Sequence, residues 1–390
     1  MRLGVPKERD DNETRVAIVP VSVPKLNKLG FEVLVEKGAG KKSGYSDSEY
    51  ENKGAKIGNQ EDVMTSGLVA SVNVPDFKMM KKGHMLACIA DPFRNLEQTK
   101  NIIDAGITLL SLDLIPRRLS KGQSMDVNSS QDNLSGYRAA LMGSLHISKM
   151  VPMMMTAAGT VRPAKFVIQG AAVAGLQAIA TAKRLGGAIH AIDVRLAAKQ
   201  DTESLGAKFI DVPGWKDAES SSGHATLFTD KELQKTFDNA LMEAVKDADV
   251  VITTARMFGA DAPKLFFSKE MNEKMTREMK QGAVVIDMNC DTGGNIVGSV
   301  EGEIVEKDGV TVIGIPMLCR AIPNTASMLY SNNVTNFVAV LVEEGKLVVN
   351  PEEQVLTGDE GGMSAGYGGI LIAEKGEVHE NQTKLMEALK

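Results

Sequence analysis

The stretch VIQGAAVAGLQ places three small residues, Gly170, Ala172 and Gly175, directly after the apolar run KFVIQ and directly before a run with helical character. In such a turn the first small residue makes the tight bend, the second lets the backbone approach a pyrophosphate, and the third lets helix and strand pack closely. The next apolar run ends in Asp193, 18 residues after Gly175. A carboxylate there accepts hydrogen bonds from the two hydroxyls of a ribose. Strand, turn, helix, strand and acid in that order point to a dinucleotide. The acid favours NAD over NADP, because a 2′-phosphate beside a carboxylate is repelled. Arg195 pulls the other way, since an arginine so placed can accompany a 2′-phosphate. Taken alone, the turn is equally a close-packed strand–helix junction that binds nothing, and Ala172 at the middle place strengthens that reading.

The elements that position these residues follow a rhythm. RLGVP, FEVLVE, LVASVN, MLACIA and ITLLSLD are short β-rich runs separated by helix-period stretches, which predicts βαβ units and a largely parallel sheet. A second series, KFVIQG, AIHAIDV, KFIDV, DVVITTA, AVVIDM and VTVIGIP, predicts a second sheet of the same kind. Residues 133–150 carry apolar positions at helical spacing without proline and predict one long connecting helix; 325–345 predict another that returns to the first domain. The expected organisation is an outer domain of residues 1–135 plus 320–390 with residues 136–319 inserted. The Ser/Gly-rich stretch 214–229 reads as a mobile surface loop.

Composition excludes several classes. The 390 residues suit two domains. With 44 basic and 50 acidic residues the net charge is -6, which argues against a nucleic-acid partner. No run approaches the roughly 20 apolar residues that span a bilayer, and MRLGVPKERD lacks the apolar core of a secretion signal. A soluble chain without direct membrane insertion is expected. Cys88, Cys290 and Cys319 lack metal or disulfide spacing and read as buried thiols, and the five histidines show no metal spacing. Met153, Met154 and Met155 read as gap-filling core or hinge packing. Lys7, Glu8 and Arg9 read as a solvated loop at a strand end.

PMMMTAAGTVRPAKFVIQGAAVAGLQAIATAKRLGGAIHAIDVR and RLSKGQSMDVNSSQDNLSGYRA resemble the soluble NAD(H)-binding component, domain I of the alpha subunit, of proton-translocating NAD(P) transhydrogenases. The resemblance runs from PKERDDNETRVAIVP to the strand and helix after Gly314, and the group is shared with the alanine dehydrogenases. It implies an α/β fold of two Rossmann-like, doubly wound parallel-sheet domains with a nucleotide cleft between them, and a homodimer built on the Rossmann domains. It also implies Re/Si-specific hydride transfer between NAD(H) on this chain and NADP(H) on a partner component, coupled to proton passage through a membrane component. The chain would then sit on the cytoplasmic or matrix-like side, peripheral to that complex.

The same resemblance implies a nicotinamide loop at Arg118, Gln123, Asp126 and Ser129, where arginine, glutamine and aspartate position the ring and its carboxamide. It implies nucleotide contacts at Gly170, Ala172, Val173 and Gly175 in the turn and at Asp193, Val194 and Arg195 after the next strand. Gly223, His224 and Arg256 complete the set. Direct hydride transfer needs no general acid or base, so the protein has only to set distance and angle. Without the resemblance, RLSKGQSMD is a polar connection with Asp126 or Ser129 near a helix N-cap.

Amino-acid dehydrogenation needs in addition an ionisable group and a cation for the substrate carboxylate. The resemblance to alanine dehydrogenases places these after the third and fourth strands, where this chain has Asn73 and Ile89 or Ala90. Arg15 fits both patterns and does not decide. Departures from the transhydrogenase pattern are Ala172, His224 in place of a tyrosine, Arg256 after ITTA, and Asn289 in IDMN. They keep open an NADH-binding or structural subunit without turnover, and the related branch keeps open an alanine dehydrogenase-like oxidoreductase.

Overall fold

The computed structural model describes residues 1–215, 229–257, 259–358 and 368–390. The chain divides into two compact units, Met1–Gln131 with Arg320–Lys390, and Asp132–Cys319.

In the first unit six parallel strands lie in the order Lys56–Gly58, Glu32–Glu36, Arg2–Val5, Leu68–Asn73, Met85–Ile89, Thr108–Ser111. Chain order reverses at Arg2–Val5, whose neighbours are the second and fourth strands in sequence, so the switch point lies between its carboxyl end and that of Leu68–Asn73. The strands are apolar on both faces because helices cover both, and Leu3, Val5, Val33, Val35, Leu68 and Ala70 are fully buried. The segment before the first helix has no ladder partner, and serines satisfy its amides. Val16 N–H donates to Ser327 Oγ and Val19 N–H to Ser331 Oγ, each at 3.0 Å. Both acceptors lie on the helix Pro323–Val340.

The second unit repeats the plan, with Lys208–Phe209, Ala188–Ile192, Lys165–Gln169, Val250–Thr253, Val284–Asp287 and Val310–Gly314 parallel in that order. Its switch point lies between the carboxyl ends of Lys165–Gln169 and Val250–Thr253, the place where open α/β sheets take their ligands. The helix Val127–His146 runs from the nicotinamide-loop segment into this unit. Gly136 lets it press on the helix after the glycine turn, since a Cβ there would sit 2.0 Å from the Ala174 carbonyl oxygen.

Both sheets are largely parallel, as expected, with antiparallel strands on one side: Leu371–Glu374 runs against Thr108–Ser111 and pairs in turn with Glu377–Val378, and Glu303–Lys307 runs against Val310–Gly314. Several other expectations need correction. The two long helices are displaced from 133–150 and 325–345 to Val127–His146 and Pro323–Val340. Asp126 caps the former, and the latter gives way to the hairpin of Val342–Glu343 with Lys346–Leu347. The three methionines are not core. Met154–Thr156 and Gly159–Val161 form a two-stranded hairpin; Met153, just before it, is 61% exposed, and Met155, within it, 73%. Cys88 and Cys319 are buried thiols, whereas Cys290 is half-buried. Most of the Ser/Gly-rich stretch, 216–228, lies outside the described residues.

Candidate functional site

The glycine turn of the second unit is built by three independent contacts. Gly170 leaves the strand Lys165–Gln169 with φ +90°, a left-handed conformation that favours glycine. A Cβ on Gly175 would lie 1.8 Å from the Gly170 carbonyl oxygen, so the third small residue is required by packing of helix on turn. Thr254, just past the strand Val250–Thr253, holds its hydroxyl 3.1 Å from the Gln169 carbonyl and 3.0 Å from that of Gly170. This ties the two sides of the switch point together. Ala172 behaves differently. It is the N-cap of the helix Val173–Arg184, with extended backbone (φ -88°, ψ -165°), an exposed side chain and no capping hydrogen bond. The backbone therefore does not demand glycine here, and no Ala172 side-chain oxygen competes for the first amides of the helix. Four such amides lack intrahelical partners at any helix start, and they suit an anion.

Asp193 follows the strand Ala188–Ile192 and closes onto this turn. Its Oδ2 accepts from Ala171 N–H at 2.7 Å, and its Oδ1 from Arg195 N–H at 2.8 Å. The Arg195 guanidinium lies across the same carboxylate, Nε 3.1 Å from Oδ1 and Nη2 3.0 Å from Oδ2. Val194 packs partly buried against the apolar core beside Ile192. Arg256 stands on the segment following Thr254, with its guanidinium 3.9 Å from Asp291. The carbonyl of the preceding Ala255 is gripped by two amides, Asn289 Nδ2 at 3.1 Å and Asn295 Nδ2 at 2.8 Å. Asn289, one of the departures in the sequence, thus fixes the segment that bears Arg256. Gly223 and His224 lie outside the described residues.

The predicted nicotinamide loop belongs to the first unit. Asp126 is buried and accepts from Ser129 N–H at 2.9 Å and from Ser129 Oγ at 2.5 Å, so both residues serve the N-terminus of the helix Val127–His146. The arginine paired with Asp126 is Arg117, Nε 3.3 Å away, which sequence reasoning passed over. Arg118 and Gln123 are exposed, and neither side chain has a hydrogen bond or ion pair among the described residues. Gly122 permits the tight bend between them, because a Cβ would meet the Pro116 carbonyl oxygen at 2.6 Å.

At the switch point of the first sheet the charge run is not solvated throughout. Arg9 does reach the surface, where it forks onto Glu36 at 2.6 and 2.8 Å. Glu8 instead turns inward and accepts from Val72 N–H at 2.7 Å and Asn73 N–H at 3.2 Å. Burial pushes its carboxyl up to about 7 despite those backbone donors. Asn73 Nδ2 lies 3.2 Å from Glu13, which also receives the Arg15 guanidinium at 2.7 Å on each oxygen. Burial raises Glu13, but the hydrogen bonds and charge of Arg15, with Arg320 at 3.0 Å, outweigh it and bring the carboxyl down to about 2. Arg15 further donates to Gln131 at 3.1 Å and is 1% exposed. Among the described residues no group of three His, Cys, Asp or Glu side chains is arranged to hold a metal ion.

Comparison with known proteins bears on the whole of this frame. Residues 4–135 match the N-terminal domain of the alanine dehydrogenase/PNT family, and residues 139–370 match its C-terminal domain. The chain belongs to the alanine dehydrogenase/PNT family. Within that family it is 40% identical over 372 residues to the first segment of the NAD(P) transhydrogenase subunit alpha of Rhodospirillum rubrum, a match that covers 92% of this chain and 95% of the relative. A solved transhydrogenase from Sinorhizobium meliloti superposes with a TM-score of 0.83 at 38% identity, over 97% of this chain and 100% of that one. Alanine dehydrogenase 1 of Staphylococcus aureus is more distant, 27% identical over 376 residues and 92% of each chain. In this member of the alanine dehydrogenase/PNT family, the Asn73 amide is held between Glu8, at 3.4 Å, and Glu13, at 3.2 Å.

Proposed function

We propose that this chain is the NAD(H)-holding component of a transhydrogenase of the Re/Si-specific, proton-translocating type, exchanging hydride with NADP(H) held by a partner component. The inserted domain holds the dinucleotide, with the Gly170–Gly175 turn and helix amides on the pyrophosphate and Asp193 on the adenosine ribose. Arg118, Gln123 and Asp126 of the outer domain orient the nicotinamide carboxamide. Bound there, the nicotinamide supplies the hydride. The chain's own residues need only fix its distance and angle and exclude water, for which neutral and paired polar groups suffice.

The observation that carries this reading is the closure of Asp193 onto the turn at the switch point, which brings a ribose-type acid beside the free amides of the helix Val173–Arg184. The dehydrogenase alternative is disfavoured by Arg15, whose guanidinium is committed to Glu13 and Gln131 and so offers little to a substrate carboxylate. The homodimer is proposed through the second unit, where Leu145 is 80% exposed and the methionine hairpin adds further apolar surface. No described helix is long and apolar enough to cross a membrane.

The test mixes the chain with the NADP(H)-binding component of a transhydrogenase and follows reduction of an NAD analogue by NADPH. Reduction that requires both proteins is expected, and Gln123→Ala should slow it far more than it weakens NADH binding. Tight NADH binding without any transfer would favour a subunit that no longer turns over. NAD reduction by L-alanine would transfer the case to the dehydrogenases.

A further inference from the structure

An ionised carboxylate offers about four lone-pair positions. On Asp193 all four are taken: Oδ1 by the Arg195 amide at 2.8 Å and Nε at 3.1 Å, Oδ2 by the Ala171 amide at 2.7 Å and Nη2 at 3.0 Å. With a ribose assigned to Asp193, two acceptor positions must be released before its hydroxyls can bind. The two amide bonds are not candidates. Ala171 N–H belongs to the turn between Gly170 and Ala172, and Arg195 N–H lies in the local bend that follows the strand. The guanidinium is carried on a flexible side chain that is 21% exposed, and its departure frees one position on each oxygen, matching the two adjacent hydroxyls of a ribose.

We propose that Arg195 determines nucleotide specificity as a displaceable cover on Asp193. In the free protein its bidentate fork neutralises the buried acid. NADH must lift it, so Arg195 competes with the ribose hydroxyls and weakens NADH. NADPH lifts it too, but its 2′-phosphate then accepts the displaced guanidinium as a charge-assisted partner. Arg195 therefore narrows the preference for NADH that Asp193 creates. This inference rests on the assignment of Asp193 to the adenosine ribose made above.

The experiment titrates NADH and NADPH into the full chain and its Asp193→Ala, Arg195→Ala and Arg195→Lys variants by calorimetry. Arg195→Ala should bind NADH about three- to tenfold more tightly and NADPH about tenfold more weakly, so that the ratio of affinities widens. Arg195→Lys keeps the charge but loses the two-pronged geometry, and should fall between wild type and the alanine variant for NADH while retaining most NADPH affinity. If Asp193→Ala weakens NADH but both arginine variants bind it no better than wild type, the cover is overturned and the ribose assignment stands. If Asp193→Ala leaves both nucleotides unchanged, the ribose assignment fails and the cover with it. A thermal melt of each variant without nucleotide separates loss of fold from loss of affinity.

Discussion

At the scale of single residues, the middle position of the turn carries a methyl where the backbone tolerates any residue: Ala172 is extended and exposed, so the free turn is unstrained. Its cost arises only when a pyrophosphate approaches, and crowding by one methyl in a packed site amounts to roughly 1–3 kcal/mol. Ala172→Gly should therefore tighten NADH about tenfold, or about 1.4 kcal/mol, in calorimetry under one buffer. Unchanged affinity would mean the phosphates lie elsewhere. Glu13 and Glu8 give a second expectation, with opposite signs. Glu13 titrates near 2 in the fold against an ordinary 4.5, so its contribution is present above pH 4.5 and is lost as pH falls towards 2. Glu8 titrates near 7, so its contribution is present below pH 4.5 and is lost as pH rises through 7. Glu13→Gln leaves Arg15 buried with much of its counter-charge gone, and should cost about 3–5 kcal/mol at pH 7. In urea melts the gap to wild type should shrink steadily below pH 4.5; a gap independent of pH would show that Glu13 acts through shape alone.

At the scale of elements, the hairpin of Met154–Thr156 and Gly159–Val161 shows where local sequence misleads. Three consecutive methionines satisfy every local criterion for core, yet Met153 and Met155 fall on exposed backbone. What covers an apolar surface in an assembly leaves no mark on the periodicity of the chain. Met153→Ser with Met155→Ser should leave the fold of the subunit intact and shift the mass seen by light scattering from dimer to monomer. A dimer of undiminished stability would move the interface elsewhere. The glycine turn, by contrast, was legible in full, because Gly170 and Gly175 answer to backbone constraints that act within a few residues. The place of Asp193, directly after the next strand, was legible too. Arg117 was not, since nothing local distinguishes it from Arg118, and only the folded chain shows that it is Arg117 that meets Asp126. Glu303–Lys307 escaped notice because EIVEK is a charged, half-exposed edge strand without the apolar run of its neighbours.

At the scale of the whole molecule, both sheets share one strand order around a central first strand, and the repeated plan was visible in the alternation of apolar runs. The antiparallel edges were not, because an edge can be supplied from any distance along the chain. Leu371–Glu374 and Glu377–Val378 complete the first sheet from the far end of the sequence. The buried Glu13–Arg15 pair, with the half-buried Arg320 beside it, has a consequence for biosynthesis. As the chain leaves the ribosome, Glu13 and Arg15 emerge early, but the second cation, the serines that receive Val16 and Val19, and the strand against Thr108–Ser111 arrive only after everything from 132 to 319 has been made. The continuous unit, Asp132–Cys319, has all its strands to itself and can complete its fold first, while the outer one waits with polar backbone exposed. A fragment of residues 132–319 should melt cooperatively and one of residues 1–131 should not. Nascent chains arrested shortly after residue 319 should then protect the inserted unit from protease while the first 131 residues are still cut, and chaperones that hold unfinished amino-terminal segments should act on the outer unit.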